Sequence, residues 1–180
     1  MSPAGATFSR CRRWRYLLWR CWDKSKPAAN FLMLNPSTAD EVKLDPSCTR
    51  ARNYAGRWGY GAVLITNIFA WRETKPGNLF QVKNPVGRGN DAAILKAARE
   101  SKIVVCAWGN HGLHRERARE VVALLRKEGV RLKFLRINGC GQPAHPLYLP
   151  ADLKPAPFRV TPAQFPPSPR ARATAPGRRG

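Results

Sequence analysis

The chain has 180 residues, 43% of them hydrophobic, which suits one compact domain with a real core and a short extra segment. Lys and Arg number 32 against 11 Asp and Glu, and a net charge of +21 predicts an anionic partner, nucleic acid before a membrane surface. No run has the apolar length of a membrane span, and five scattered cysteines without a CxxC pair argue against a zinc site or an iron–sulfur cluster.

Free thiols in a reducing cytoplasm are the simplest reading of those cysteines, with Cys106 in the core and Cys140 exposed between two glycines. Residues 1–13 read as a loose basic lead-in. From Trp14 to Trp22, one side carries Trp14, Tyr16, Leu18 and Trp22, a period of two that predicts an edge strand, with Arg20 breaking the set. "FLML" (residues 31–34) has the character of a strand covered on both faces. Asp45 followed by Pro46 predicts a helix N-cap, and Gly59 closes that helix near Trp58.

"AVLITNIF" (62–69) is a second buried strand, and the turn-rich stretch 70–91 is a loop long enough to suggest function. Asp91 is expected to cap a helix reaching Ser101. "KIVVCAWG" (102–109) reads as a strand, 115–128 as an amphipathic helix, and "VRLKFLRI" (130–137) as a fourth strand. Alternation of this kind predicts an α/β fold, a three-layer α/β/α domain over residues 14–150 with a central, mainly parallel sheet. Residues 151–180, rich in Pro and Arg, read as a disordered basic tail.

Each strand ends in polar chemistry: Asn35-Pro36-Ser37-Thr38, Thr66-Asn67, Trp108-Gly109-Asn110-His111, and Gln142 through His145-Pro146. Parallel strands would place all four groups on one edge, where open sheets bind ligands. The motifs of dinucleotide sites, P-loops, zinc proteases and serine hydrolases are absent. What remains suits positioning a water, gripping phosphate, and donating a hydrogen bond to developing negative charge. No cofactor and no metal is implied. His111 and His114 also fit helix caps, Arg72 and Thr74 fit internal anchors of the long loop, and Arg50, Arg52 and Arg57 fit either a phosphate-binding or a solvated helix face.

The series "RYLLWRCW", "FLMLNPSTAD", "GYGAVLITNIFAWRETKPGNL", "NPVGRGND", "AWGNHG" and "GQPAHPLYL" resembles the bacterial and phage family catalogued as domain of unknown function 1643, over residues 15–149. More distantly, "LMLNP", "LITNIFAWRETKPGNL", "VVCAWGNHG" and "AHPLYL" are similar to motifs of mismatch-type uracil-DNA glycosylases and their superfamily. That resemblance implies a uracil-DNA glycosylase-like architecture, DNA rather than RNA as partner, and hydrolysis of the N-glycosidic bond of a modified or mismatched base. It implies that Asn35 positions water and His145 stabilises the departing base. Asn67 would read a flipped base, with Phe69 or Phe31 stacking on it. Ser37 and Thr38 would hold flanking phosphates, joined by Arg72, Thr74, Asn110 and His111. Asn35 is not a base, so a non-catalytic nucleic-acid-binding module using the same cleft stands as the alternative, and hydrolysis of free nucleosides or nucleotides as a third reading.

Overall fold

The computed structural model describes residues 2–161 and 164–165. Seven strands form one mixed sheet: β1 (Ala4–Phe8), β2 (Arg15–Cys21), β3 (Ala28–Met33), β4 (Ala62–Asn67), β5 (Ser101–Ala107), β6 (Leu132–Phe134) and β7 (Ala156–Pro157), in the order β1-β2-β4-β3-β5-β6-β7. The four central strands β4, β3, β5 and β6 run parallel, and antiparallel partners flank them on both sides.

The helices are α1 (Pro46–Arg57), α2 (Pro76–Leu79), α3 (Asn90–Arg99) and α4 (Arg117–Lys127). Side chains on the central strands alternate between two cores, as the two-residue period of a strand requires. Phe31, Val63, Ile65 and Val105 join Tyr54 and Ala51 of α1 on one face. Leu32, Val104, Cys106 and Trp108 join Ile94 of α3 and Val121 and Leu125 of α4 on the other. Helices therefore cover both faces, which explains why β3 and β4 carry almost no polar alternation. On the α1 side Phe31, Tyr54 and Trp58 form a three-ring stack with centroids 5.3–6.3 Å apart.

Asp45 caps α1, its carboxylate accepting the Cys48 amide at 2.8 Å, and Gly59 follows the helix with φ of +84°, as the sequence predicts. No helix among the described residues is long and apolar enough to cross a membrane.

Several expectations are corrected. Residues 1–13 are not all a loose lead-in, because Ala4–Phe8 pairs with β2 as the outermost strand. Its small residues carry no readable periodicity; backbone pairing and the Trp19 ring, packed so close that a Cβ on Gly5 would lie 2.1 Å from it, hold it in place. β2 is consequently an interior strand rather than an edge. Part of the expected tail also belongs to the domain, since Ala156–Pro157 pairs with β6 and Phe158 is buried. Residues 162–163 and 166–180 of that stretch lie outside the described residues.

Gly89, not Asp91, stands at the N-cap of α3, which ends at Arg99. Asp91 instead pairs with the buried Arg117. α4 begins at Arg117, not at 115, because Arg115 and Glu116, at the end of a kinked 3-10 segment (Asn110–Glu116), have φ of +51° and +58° and interrupt the helix there. The fourth predicted strand shrinks to three residues, Leu132–Phe134.

Candidate functional site

Parallel register places the strand ends level with one another. Met33 pairs with Asn67 on one side and with Ala107 on the other, so the residues that follow all leave from one sheet edge. From β3 the chain turns into α1 on one face; from β5 it turns toward α4 on the opposite face. Adjacent parallel strands whose connections diverge in this way open a crevice between their carboxyl ends.

A cleft of about 560 Å³ occupies that crevice. Six of the expected site residues line it: Asn35 and Ser37 from β3, Thr74 from the long loop, Asn110 and His111 from β5, and His145 from the last loop. Local chemistry explains how each arrives there. Pro36 has no N–H and ends the β3 ladder. Gly109, with φ of +72° and ψ of −171°, reverses the chain after Trp108 in a conformation open essentially to glycine alone. Its amide donates to the Pro143 carbonyl at 2.8 Å, which draws the His145 segment against the end of β5. Asn110 Oδ1 accepts from Asn138 Nδ2 at 2.6 Å and from Cys140 Sγ at 3.1 Å, closing the same wall.

The long loop is tied to the end of β3. The Glu73 amide donates to the Pro36 carbonyl at 2.8 Å, and Asn35 Nδ2 donates to the Glu73 carbonyl at 2.6 Å. Glu73 thereby becomes a wall of the cleft. Hydrogen bonds from the Lys75 amide and then the Thr74 amide hold its carboxyl below the usual glutamate range, so it is ionised at neutral pH. His145 accepts a long 3.4 Å hydrogen bond at Nδ1 from the Leu147 amide, which leaves the proton of the neutral ring on Nε2. Burial pushes its pKa below the ordinary 6.5, against the opposing charge of Asp45.

The remaining expected site residues lie elsewhere. Thr38 lines a neighbouring hollow of about 860 Å³ beside α1. Asn67 is 1% exposed, and its Oδ1 accepts from the buried Arg15 at 3.2 Å. Phe69 is fully buried beneath His114, and Phe31 is fully buried in the α1 stack. The base-reading and stacking expected of these three does not fit their positions, because strands covered on both faces point side chains into the cores. Arg72 lies over the Phe8 ring at 5.2 Å and donates its amide to the Arg13 carbonyl, anchoring the loop outside the cleft.

The family model described as "Protein of unknown function (DUF1643)" matches residues 15–147. The chain belongs to this family. No curated protein and no solved structure matches it significantly. The span of the DUF1643 match begins at β2 and ends inside the His145 loop, so every residue lining the cleft except Tyr148 falls within it.

Sequence reasoning missed five residues of the DUF1643 cleft that fold topology brings in: Ser47 at the start of α1, Glu73, Asn138, Leu147 and Tyr148. Only Glu73 had a readable signal, as an acid inside a long loop next to two expected site residues. Tyr148 stands 90% exposed at the cleft.

Proposed function

We propose that this DUF1643 protein binds nucleic acid, DNA in preference to RNA, and receives an unstacked base in the strand-end cleft, where it hydrolyses the N-glycosidic bond of a modified or mismatched base. The observation that supports this most is the convergence of Asn35, an ionised Glu73 and a neutral His145 on one cleft, in a chain of net charge +21. The motif resemblance to uracil-DNA glycosylases, and the glycosylase-like architecture it implies, belong to the same proposal.

In this reading each group has a separate task. Bond cleavage passes through a cationic, oxocarbenium-like sugar, which the Glu73 carboxylate stabilises electrostatically. Asn35 orients water toward the sugar C1′. The C–N bond breaks with its electron pair leaving on the base, and His145 donates a hydrogen bond from Nε2 to that charge. The water forms the new C–O bond and gives its proton to solvent. Ser37, Thr74, Asn110 and His111 hold the phosphates on either side. Base extrusion is needed first if the substrate is a duplex.

One observation favours the non-catalytic module. The Asn35 amide nitrogen is already engaged by the Glu73 carbonyl, and Oε1 of Glu73 by two loop amides, so both groups are held by the fold itself. Oligonucleotides carrying uracil, hypoxanthine or xanthine decide between the readings. Alkali-labile abasic sites that vanish in Asn35→Ala and His145→Ala are the expected result. Binding with no base released would establish the module instead.

A further inference from the structure

Three hollows lie in a row along α1. The strand-end cleft and the 860 Å³ hollow share Leu147 as a common wall. That hollow in turn shares Asn53 with a third, of about 400 Å³, formed by Trp22, Arg52, Gly56 and Arg57. The two exposed Trp, Tyr or Phe side chains among the described residues are Tyr148 and Trp22, and they stand at opposite ends of this row. Four cations border it between them: Lys43, Arg50, Arg52 and Arg57.

Resting on the nucleic-acid reading above, we infer that the partner is a single strand, laid along α1 from Tyr148 to Trp22, with a base stacked at each end. A duplex hides its base faces within its own stack, whereas an unpaired strand offers every face to an aromatic ring. The 12 residues of α1 span about 18 Å, roughly five nucleotides at a stacked rise of 3.4 Å.

The side chains are already arranged for this. The Arg52 guanidinium lies 5.2 Å from the Trp22 ring centroid, giving a planar cation–indole platform of the kind on which bases stack. Arg57 Nη1 donates to the Ala151 carbonyl at 2.8 Å, and Arg50 donates to the Leu149 carbonyl, so both heads are held along the rim. Two carboxylates also line the middle hollow, and each is already occupied. Asp45 caps α1, and Asp40 accepts the Val42 and Lys43 amides. With Glu73 of the strand-end cleft, which accepts the Thr74 and Lys75 amides, the row is cationic by four to three, with its anions turned to the backbone.

The test is fluorescence anisotropy of the full chain with a labelled 12-mer, single-stranded or annealed to its complement, at one fixed salt concentration. The single strand is expected to bind at least 10-fold more tightly. Tyr148→Ala and Trp22→Ala are each expected to weaken it by roughly 10-fold. Tyr148→Phe should restore binding, and duplex affinity should stay unchanged in all variants. Equal or tighter duplex binding, or aromatic variants that bind the single strand like the parent, overturns the inference and leaves the nucleic-acid reading standing. Absence of binding to either polymer overturns both. Thermal melts confirm that the surface variants are folded.

Discussion

Asn35 donates its side-chain amide to the main-chain carbonyl of Glu73 at 2.6 Å, joining the end of β3 to a loop 38 residues further on. The bond converts an unstructured stretch of sequence into one wall of the cleft. Asn35→Asp would set a carboxylate against that carbonyl, two acceptors with no proton between them. The variant is expected to lose about 1–3 kcal/mol at pH 7. The new carboxyl's folded pKa is raised, so its deficit relative to the parent should shrink as pH falls and the group becomes a donor. Urea titrations of both proteins at pH 7 and pH 5 measure this, and a deficit that grows on acidification contradicts it.

His145 and His114 both have pKa values lowered from 6.5, first by burial. The unfolded chain therefore binds more protons than the folded one just below pH 6.5, and stability falls as pH drops through that window toward the folded values. Above pH 6.5 both states hold neutral rings and the contribution is flat. In NMR titrations the His145 ring resonance is expected to have its midpoint below 6.5. His145→Gln should flatten part of the stability slope between pH 6.5 and 5.

The thiols divide by environment. Burial pushes Cys48 up to about 12 and Cys106 well above its ordinary range, while the Ser9 hydrogen bond lowers the exposed Cys11. Cys11 and Cys140 are expected to react with a thiol reagent at pH 8 in the native protein. Cys48 and Cys106 should react only after denaturation. Modification of Cys106 without unfolding would contradict its place in the core.

Gly109 and Gly112 hold the β5 side of the cleft for different reasons. Gly109→Ala forces a side chain into a glycine-only backbone conformation and is expected to cost about 1–3 kcal/mol. At Gly112 a Cβ would lie 2.1 Å from Trp108 Cδ1, so Gly112→Ala must displace a buried indole whose Nε1 donates to Gln142 Oε1. A cost of about 1–3 kcal/mol is expected there too. Thermal unfolding measures both, and a neutral Gly109→Ala would show that the turn has another conformation open to it.

Arg117 is buried and donates Nε to the Ile68 carbonyl at 2.8 Å while pairing with Asp91 and Glu120. Arg117→Ala is expected to cost about 3 kcal/mol, leaving the Ile68 carbonyl with the Asn90 amide alone and a void between α3 and α4. Asp91→Asn, at an exposed partner, should cost well under that. Equal losses in the two would show that the ion pair, and not the buried carbonyl contact, dominates.

Much of the frame was legible in the residues. Asp45-Pro46 and Gly59 marked the ends of α1, and the apolar runs at 31–34 and 62–69 marked the two central strands. Six residues expected at a site do line one cleft. What failed has a common cause. Asn67 and Phe69 continue a strand whose two faces are both covered, and whether a strand-end side chain points outward depends on the layers above and below it. β1 and β7 escaped notice because an edge strand of small residues or of Ala-Pro is held by its partner's backbone, not by its own pattern.

The charge, the strand and helix alternation, the caps and the polar strand ends all follow from neighbours close along the chain, and so could be read from the residues. The remaining features come from contacts between distant segments. The divergence of the β3 and β5 connections opened the crevice, the Asn35 bond brought Glu73 into it, and the row of hollows along α1 set Tyr148 and Trp22, 126 positions apart in sequence, at the two ends of one surface. Such meetings depend on which faces the helices choose, and that choice is made by packing, not by local preference.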